Sequence, residues 1–266
     1  MIDRDVSRRR LRKRKEGMKK GVYLLPNLLT SASLFGGFYS IVAALDGRYE
    51  VAAIAILISA VLDGLDGRIA RLTGTTSRFG MEYDSLADLV AFGLAPGFLI
   101  FVWAVRPFGR YGWLAAFLYV VCGALRLARY NVEAPSVGSK RFNGLPIPAA
   151  AAFIAATVLL FHYIGQAQIP KHIAIPVIVY CLAFLMISNV KFHSFKELNF
   201  TKRMPFILLV GAVFLLILIA AEPQVMLFIL TFGYVVSGPV MWIVGKRKKE
   251  VSYVHDEDEV VAKKTK

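Results

Sequence analysis

The sequence predicts an all-α fold: a polytopic helical membrane protein with about eight transmembrane helices and both termini in the cytoplasm. The first observation is apolar content, because 57% of the 266 residues are hydrophobic and the mean hydropathy is +0.57. The second is segregation, because long apolar runs alternate with short basic ones although the formal net charge is +14. A soluble domain of this length usually shows amphipathic periods and a more evenly charged surface. Together these features favour a membrane protein.

Eight apolar runs are long enough to cross a bilayer, which takes about 17–25 residues in a helix. In chain order they are residues 23–45, 50–71, 80–104, 112–130, 146–164, 172–190, 205–221 and 224–244. Aspartates interrupt the second and third runs, as expected where acids face the interior of a helix bundle. We therefore predict a single transmembrane domain over residues 22–244. A basic cytoplasmic tail at 1–21 precedes it, and a disordered cytoplasmic tail at 245–266 follows it.

The distribution of lysine and arginine predicts the orientation. With the N-terminus inside, eight spans place all but four of the 32 basic residues in the cytoplasm, the exceptions being Arg48, Arg106, Arg110 and Lys171. The basic N-terminal tail has almost no apolar face, so we expect it to be drawn to anionic lipid, and we expect no nucleic-acid partner. The expected location is the inner membrane of the cell, with several passes through the lipid bilayer.

Four aspartates lie within the apolar sequence of the second and third spans, where an ionised carboxylate is energetically costly. Asp63 and Asp66 are three residues apart, and Asp84 and Asp88 are four apart, so each pair lies on one face of its own helix. With helix ends near residues 72 and 79, all four lie roughly 7–14 Å from the cytoplasmic surface. Carboxylate pairs at matched depth on antiparallel helices can converge, and nothing lysine-like lies there to pair them. The sequence thus predicts two divalent cations, Mg²⁺ or Mn²⁺, because hard cations prefer oxygen ligands.

Groups suited to phosphate surround the aspartates on the cytoplasmic side. Gly64 and Gly67 leave the backbone open to close approach by a ligand. Arg71 falls one helical turn beyond Gly67, where its guanidinium can clamp a phosphate through two hydrogen bonds. The loop TGTTSR then adds hydroxyls and amides, those of Ser77 among them, and Arg78. A pair of metals beside a phosphate clamp is typical of phosphoryl-type transfer, so we expect the active site to face the cytoplasm.

Two other interpretations of the aspartates stay open on this evidence. An intramembrane acid can serve as an interhelical hydrogen-bond partner, although four such acids beside Arg71 make that account weak. Transporters of cations or protons also gather intramembrane acids. Against transport, these four lie at one depth near the cytoplasm rather than at the midplane, and the adjacent arginines would repel a cation in transit.

Read with gaps, the stretch is Asp63-x2-Asp66-Gly67-x2-Ala70-Arg71-x8-Gly80-x3-Asp84-x3-Asp88. It resembles the signature of the CDP-alcohol phosphotransferase family without a departure. The resemblance implies a membrane enzyme that attacks a CDP-linked lipid or CDP-alcohol with an alcohol and releases CMP. It also implies that the four aspartates hold two divalent metals and that Asp88 acts as the general base. The implied CDP contacts are Asn27, Thr30, Gly67, Ala70, Arg71, Ser77 and Gly80.

Further segments resemble the phosphatidylserine synthase branch of this family: RLARYN at 126–131, FNGLPIP at 142–148 and SNVKF at 188–192. This second resemblance implies CDP-diacylglycerol and L-serine as substrates, with Arg126, Arg129 and Asn131 as the serine contacts. A homodimer is implied by the family resemblance alone. On spacing alone, the two arginines could instead be anchors at a helix end. Asn27 and Thr30 could likewise be interhelical hydrogen-bond partners.

The acceptor alcohol is decided outside the shared signature. Glycerol 3-phosphate or inositol phosphate would react by the same chemistry, so either is an alternative to serine. A phosphorylated acceptor should need more basic residues around the cavity, whereas the serine carboxylate needs one suitably placed cation.

Overall fold

The computed structural model describes residues 25–74, 77–133, 142–165, 173–192, 218 and 220–264. Within these ranges the chain is built from seven helices and one pair of two-residue strands. The helices are α1 (Leu25–Leu45), α2 (Tyr49–Thr73), α3 (Arg78–Phe108), α4 (Arg110–Glu133), α5 (Ile147–Tyr163), α6 (Ala174–Ile187) and α7 (Pro223–Lys264). The strands are β1 (Phe142–Asn143) and β2 (Lys191–Phe192), which pair antiparallel. The prediction of an all-helical fold is confirmed for this part of the chain, apart from that short strand pair.

Among the described residues, four helices are long and apolar enough to cross a membrane: Leu25–Leu45, Arg78–Phe108, Arg110–Val132 and the Pro223–Ile243 part of α7. The second predicted span forms the 25-residue helix α2, whose charged residues interrupt its apolar character. The fifth and sixth predicted spans form α5 and α6, apolar helices of 17 and 14 residues. Most of the seventh predicted span, 205–221, lies outside the described residues, as does the basic tail at 1–21. The count of eight spans and the orientation of the termini therefore stay predictions.

The last helix continues beyond the predicted end of the membrane domain at residue 244. Its backbone is helical from Pro223 to Lys264, through most of the segment for which the sequence predicts a disordered tail. No proline or glycine follows Gly245 before Lys264, so the sequence contains no residue that strongly opposes helix continuation there.

A short connection joins the two helices that carry the aspartates. Helix α2 ends at Gly74, whose φ of 63° is left-handed and whose N–H bonds to the carbonyls of Ala70 and Arg71. Glycine adopts this conformation without steric cost. Helix α3 then begins at Ser77, whose hydroxyl accepts a hydrogen bond of 3.0 Å from the N–H of Gly80. These two caps fix where α2 ends and α3 begins.

Helix α3 is not a regular α-helix along its length. It widens into π-helical turns at Leu89–Leu94 and at Phe101–Val105. A proline follows each turn closely, Pro96 after the first and Pro107 after the second. Proline has no N–H to donate, and its ring crowds the carbonyl four residues earlier. The two prolines therefore explain where the helix departs from α geometry.

Small residues allow the helices to approach closely around the site. A Cβ placed on Gly37 of α1 would lie 2.5 Å from the Cα of Ala91 in α3. Ser33 of α1 donates a hydrogen bond of 3.1 Å to the carbonyl of Ser59 in α2. Helix α5 forms the centre of the bundle, packing against α2 and α7 through a face with fully buried alanines.

The strand pair joins the chain segments that precede α5 and follow α6. Phe142 pairs with Phe192 and Asn143 with Lys191, and the N–H of Gly144 donates to the carbonyl of Val190 at 2.9 Å. Gly144 has a φ of 80°, and a Cβ there would collide with the carbonyl of Met186. The segments 142–148 and 188–192, which the sequence analysis singled out separately, are thus one structural unit.

Candidate metal and nucleotide site

The four aspartates come together between α2 and α3. Carboxylate oxygens of Asp63, Asp66 and Asp84 all lie within 4.8 Å of one another. The carboxyl of Asp88, one turn beyond Asp84, is in hydrogen-bond contact with that of Asp63. Asp66 is only 4% exposed, and the other three are half-buried. The structure thus brings both predicted pairs into one cluster, as their spacing and matched depth predict.

Helix α1 holds one of these acids in place. The hydroxyl of Thr30, itself buried, donates a hydrogen bond of 2.6 Å to Oδ2 of Asp66, and the same hydroxyl lies 3.1 Å from the carbonyl of Pro26. The backbone N–H of Gly67 also bonds to the Asp66 carboxylate. Hydrogen bonds between a hydroxyl and an ionised carboxylate are short and strong. Asp66 is therefore the most firmly oriented of the four acids.

The cluster fits a divalent cation. Oδ1 of Asp84 is buried and has no hydrogen-bond partner among the described residues. In the same part of the chain, no lysine or arginine forms an ion pair with any of the four aspartates. Ionised carboxylates in contact repel one another, and a buried charge without a partner is costly. Hard divalent cations bind carboxylate oxygens and would satisfy both conditions, so these residues can hold such ions.

The side of α2 next to the cluster is open. A Cβ added to Gly64 or to Gly67 would meet no other protein atom within 4 Å. Ala70, one turn further on, is half-buried, and Arg71 is exposed near the end of the helix. A ligand can therefore reach the α2 backbone beside the aspartates and meet the guanidinium of Arg71, as the sequence analysis predicts for a phosphate.

Of the remaining predicted CDP contacts, Thr30, Ser77 and Gly80 already have partners within the protein. Thr30 bonds to Asp66, so it acts as the interhelical partner that the sequence analysis kept as an alternative. The hydroxyl of Ser77 accepts the N–H of Gly80 at the start of α3. A Cβ on Gly80 would lie 3.1 Å from this hydroxyl oxygen and 3.6 Å from Oδ1 of Asn27. Asn27, Ser77 and Gly80 therefore meet where the beginnings of α1 and α3 approach each other.

The predicted serine contacts divide into two groups. Arg126 of α4 is half-buried and within electrostatic range of Asp88, and its Nε is buried without a hydrogen-bond partner in the described residues. The side-chain amide of Asn131 donates a hydrogen bond of 3.0 Å to the hydroxyl of Ser85, the neighbour of Asp84. Arg129 has an exposed side chain. Arg126 is thus within electrostatic range of one aspartate of the cluster, and Asn131 bonds to the chain neighbour of another.

One further residue near the site, Tyr234 in the last helix, is not indicated by the sequence. Its side chain interacts electrostatically with Arg126, and its ring lies 5.7 Å, centroid to centroid, from that of Phe192 in β2. Phe192 is buried and packs on Gly238, where a Cβ would collide with its ring. Phe192 of β2 therefore packs against a tyrosine of α7 that in turn interacts with Arg126. No local motif marks Tyr234, so only the packing of α7 reveals it.

Together the fold and the site define a helical protein with an acidic cluster suited to cations beside an open, arginine-flanked surface suited to phosphate. Comparison with known proteins identifies the family: residues 23–187 match the model of the CDP-alcohol phosphatidyltransferase family, and the chain belongs to it. This membership favours phosphatidyl-transfer chemistry over cation transport. Tyr234 lies outside the matched residues.

Curated relatives extend the similarity over most of the chain. A CDP-diacylglycerol–serine O-phosphatidyltransferase of Helicobacter pylori (strain J99) is 37% identical over 225 residues, covering 84% of this chain and 92% of the relative. An archaetidylserine synthase of Methanothermobacter thermautotrophicus is 38% identical over 170 residues, covering 63% of this chain and 69% of the relative. A further CDP-diacylglycerol–serine O-phosphatidyltransferase, from Mycobacterium tuberculosis, is 38% identical over 155 residues, covering 56% and 54% respectively.

Proposed function

We propose that this protein transfers the phosphatidyl group of CDP-diacylglycerol to the hydroxyl of L-serine, giving phosphatidylserine and CMP. The observation that carries the proposal is the half-buried guanidinium of Arg126, which lies within electrostatic range of Asp88 and whose Nε has no hydrogen-bond partner among the described residues. Arg126 supplies a positive charge for the carboxylate of serine, within electrostatic range of Asp88, whose own carboxylate can accept a proton. The names of the relatives support the same acceptor.

CDP-diacylglycerol would bind along the open side of α2. The absence of side chains at Gly64 and Gly67 admits the diphosphate to the backbone, and Arg71 supplies hydrogen bonds to it. Asp63, Asp66, Asp84 and Asp88 would hold two divalent cations, Mg²⁺ or Mn²⁺. When bound, such cations neutralise diphosphate charge and polarise the phosphorus under attack.

Serine would bind on the α4 side of the cluster. The guanidinium of Arg126 pairs with the serine carboxylate, and Tyr234 flanks that guanidinium from α7. Asn131, held to Ser85, closes the same side of the site. Arg129 stays a proposed contact at the exposed rim.

The reaction is a single displacement. The carboxylate of Asp88 accepts the proton of the serine hydroxyl as its oxygen forms a bond to the phosphorus of the phosphatidyl group. The bond from that phosphorus to CMP breaks, and CMP leaves with the electron pair. Fixed groups that position both substrates lower the barrier, because they spare the cost of orienting serine and lipid in the transition state.

The protein would work within the inner membrane, with the site open to the cytoplasm, and as a homodimer. The four apolar helices of membrane length support this location. Large apolar side chains such as Phe35, Phe117 and Phe184 are also more than half exposed, as expected for surfaces that contact lipid. In that arrangement the acyl chains of CDP-diacylglycerol remain between helices while its nucleotide head reaches the aspartates from the cytoplasmic side.

An acceptor panel tests the proposal. Purified protein is given CDP-diacylglycerol and Mn²⁺ with labelled serine, glycerol 3-phosphate or inositol phosphate, and labelled lipid and CMP are measured. We expect labelled phosphatidylserine and an equal amount of CMP with serine alone, and no product in excess chelator. Preferential use of glycerol 3-phosphate or inositol phosphate would overturn the serine assignment, and full activity in chelator would overturn the metal assignment.

A further inference from the structure

A buried hydroxyl from α4 contacts the backbone of α3 just beyond Asp84 and Asp88. Tyr119 is 0% exposed, and its phenolic O–H donates a hydrogen bond of 3.0 Å to the carbonyl of Phe92. A buried tyrosine hydroxyl needs such a partner, and a helix carbonyl normally has one in its own helix. The Phe92 carbonyl, by contrast, accepts a hydrogen bond from a side chain of another helix, α4.

Pro96 explains why the Phe92 carbonyl is available to Tyr119. In a regular α-helix, the carbonyl of Phe92 would accept from the N–H of residue 96, which proline lacks. The helix widens at this point into the π-helical turn Leu89–Leu94, which begins directly after Asp88. Tyr119 supplies a donor to the carbonyl that Pro96 cannot serve. Proline and tyrosine thus act on the same carbonyl from two sides.

A π-helical turn changes which way the aspartates face. It inserts one extra residue into the helix, and one residue corresponds to about 100° of rotation about the helix axis. The part of α3 at and after the turn is fixed by close contacts. A Cβ on Gly97 would lie 2.9 Å from Cγ2 of Val120, next to Tyr119, and Ala91 packs on Gly37 of α1. The turn therefore sets the rotation of the preceding segment, which carries Asp84 and Asp88, relative to α2.

The geometry points to Tyr119 as a positioning residue for the metal and proton chemistry of Asp84 and Asp88. By holding the Phe92 carbonyl, its hydroxyl stabilises the π-helical turn that directs the two carboxylates at Asp63 and Asp66. Tyr119 is fully buried and its hydroxyl bonds to the Phe92 carbonyl, so it would act through the backbone of α3. The inference rests on the proposed function, because it assigns these aspartates to cation binding and phosphatidyl transfer.

The test replaces Tyr119 by phenylalanine, which keeps the ring and removes only the hydroxyl. The matched control is Tyr180→Phe, since the Tyr180 hydroxyl also donates a 3.0 Å hydrogen bond to a backbone carbonyl, that of Tyr111 at the start of α4. Mn²⁺ affinity is measured by electron paramagnetic resonance titration, together with kcat, the KM for serine and thermal unfolding. For Tyr119→Phe we expect Mn²⁺ binding about tenfold weaker or more, and a similar loss in kcat, with the KM for serine within about twofold of wild type. Tyr180→Phe should retain all of these values.

A second variant keeps the inference testable if Tyr119→Phe folds poorly. Pro96→Ala restores a backbone N–H at residue 96 and should favour an α-helical turn, since alanine suits a helix interior and proline does not. We expect unfolding at the same temperature or higher, yet weaker Mn²⁺ binding, a combination that a purely structural role for the turn would not produce. Wild-type Mn²⁺ affinity and kcat in a folded Tyr119→Phe or Pro96→Ala protein would overturn the inference. If the wild type itself bound no Mn²⁺, the proposed metal site would fail first.

Discussion

The hydrogen bond from Thr30 to Asp66 gives a quantitative prediction. Replacing Thr30 by valine removes the hydroxyl while nearly preserving the shape of the side chain. The bond is 2.6 Å long, and its two residues are only 5% and 4% exposed, so water is poorly placed to replace the lost donor. A hydrogen bond to a charged group contributes about 1.5–3 kcal/mol. Since each 1.4 kcal/mol is roughly a tenfold change in an equilibrium constant, Mn²⁺ affinity should fall about 10- to 100-fold.

The assay is Mn²⁺ titration followed by electron paramagnetic resonance, with CMP release measured on the same preparations. Thr157→Val is the matched control, because the Thr157 hydroxyl donates a 2.7 Å bond to the carbonyl of Phe153 within α5 and contacts no aspartate. The control should bind Mn²⁺ as the wild type does. If Thr30→Val and Thr157→Val gave the same Mn²⁺ affinity, Thr30 would not orient a metal ligand and the reasoning would be refuted.

Three further predictions concern other parts of the site. Asp88→Asn should lower kcat by about 100-fold or more, because the proton acceptor is lost; CMP release near the wild-type rate would remove Asp88 from that role. Arg126→Gln should raise the KM for serine about tenfold or more and leave the KM for CDP-diacylglycerol unchanged, and equal effects on both would contradict a serine contact. Gly67→Ala should raise the KM for CDP-diacylglycerol without lowering the unfolding temperature, because its Cβ meets no protein atom outside its own stretch of helix and alanine suits a helix interior better than glycine. Gly37→Ala should instead lower the free energy of unfolding by about 1–3 kcal/mol, through its clash with Ala91. A loss of stability in Gly67→Ala but not in Gly37→Ala would refute the open side of α2.

The sequence was sufficient to predict an all-helical fold and the convergence of the aspartates, although not the number of membrane spans. Long apolar runs are typical of helices in a membrane, and spacings of three and four residues place Asp63 with Asp66 and Asp84 with Asp88 on single helix faces. A short connection between α2 and α3 makes the two helices neighbours, so matched depth is enough to bring the pairs together. The open backbone at Gly67 follows in the same way, from local residue type.

Other features of the site depend on contacts between residues far apart in the chain. The sequence left Thr30 as either a nucleotide contact or an interhelical hydrogen-bond partner, and its hydroxyl bonds to Asp66 across 36 positions. It gave Tyr234 no role, because nothing local distinguishes that tyrosine from others in apolar helices. Such contacts depend on how each helix is rotated about its axis. The π-helical turn ahead of Pro96 shows that one inserted residue changes this rotation by about 100°, which apolar periodicity does not reveal.

The proposed mechanism depends on one divalent-metal site formed by the four aspartates of α2 and α3. Anomalous scattering from crystals of the full chain soaked in Mn²⁺ would test it most directly. We expect two Mn²⁺ peaks between α2 and α3, with Asp63, Asp66, Asp84 and Asp88 all within coordinating distance. In crystals saturated with Mn²⁺ and with these four carboxylates ordered, the absence of a peak among them would contradict the proposed metal site. Mn²⁺ bound only elsewhere would contradict it too.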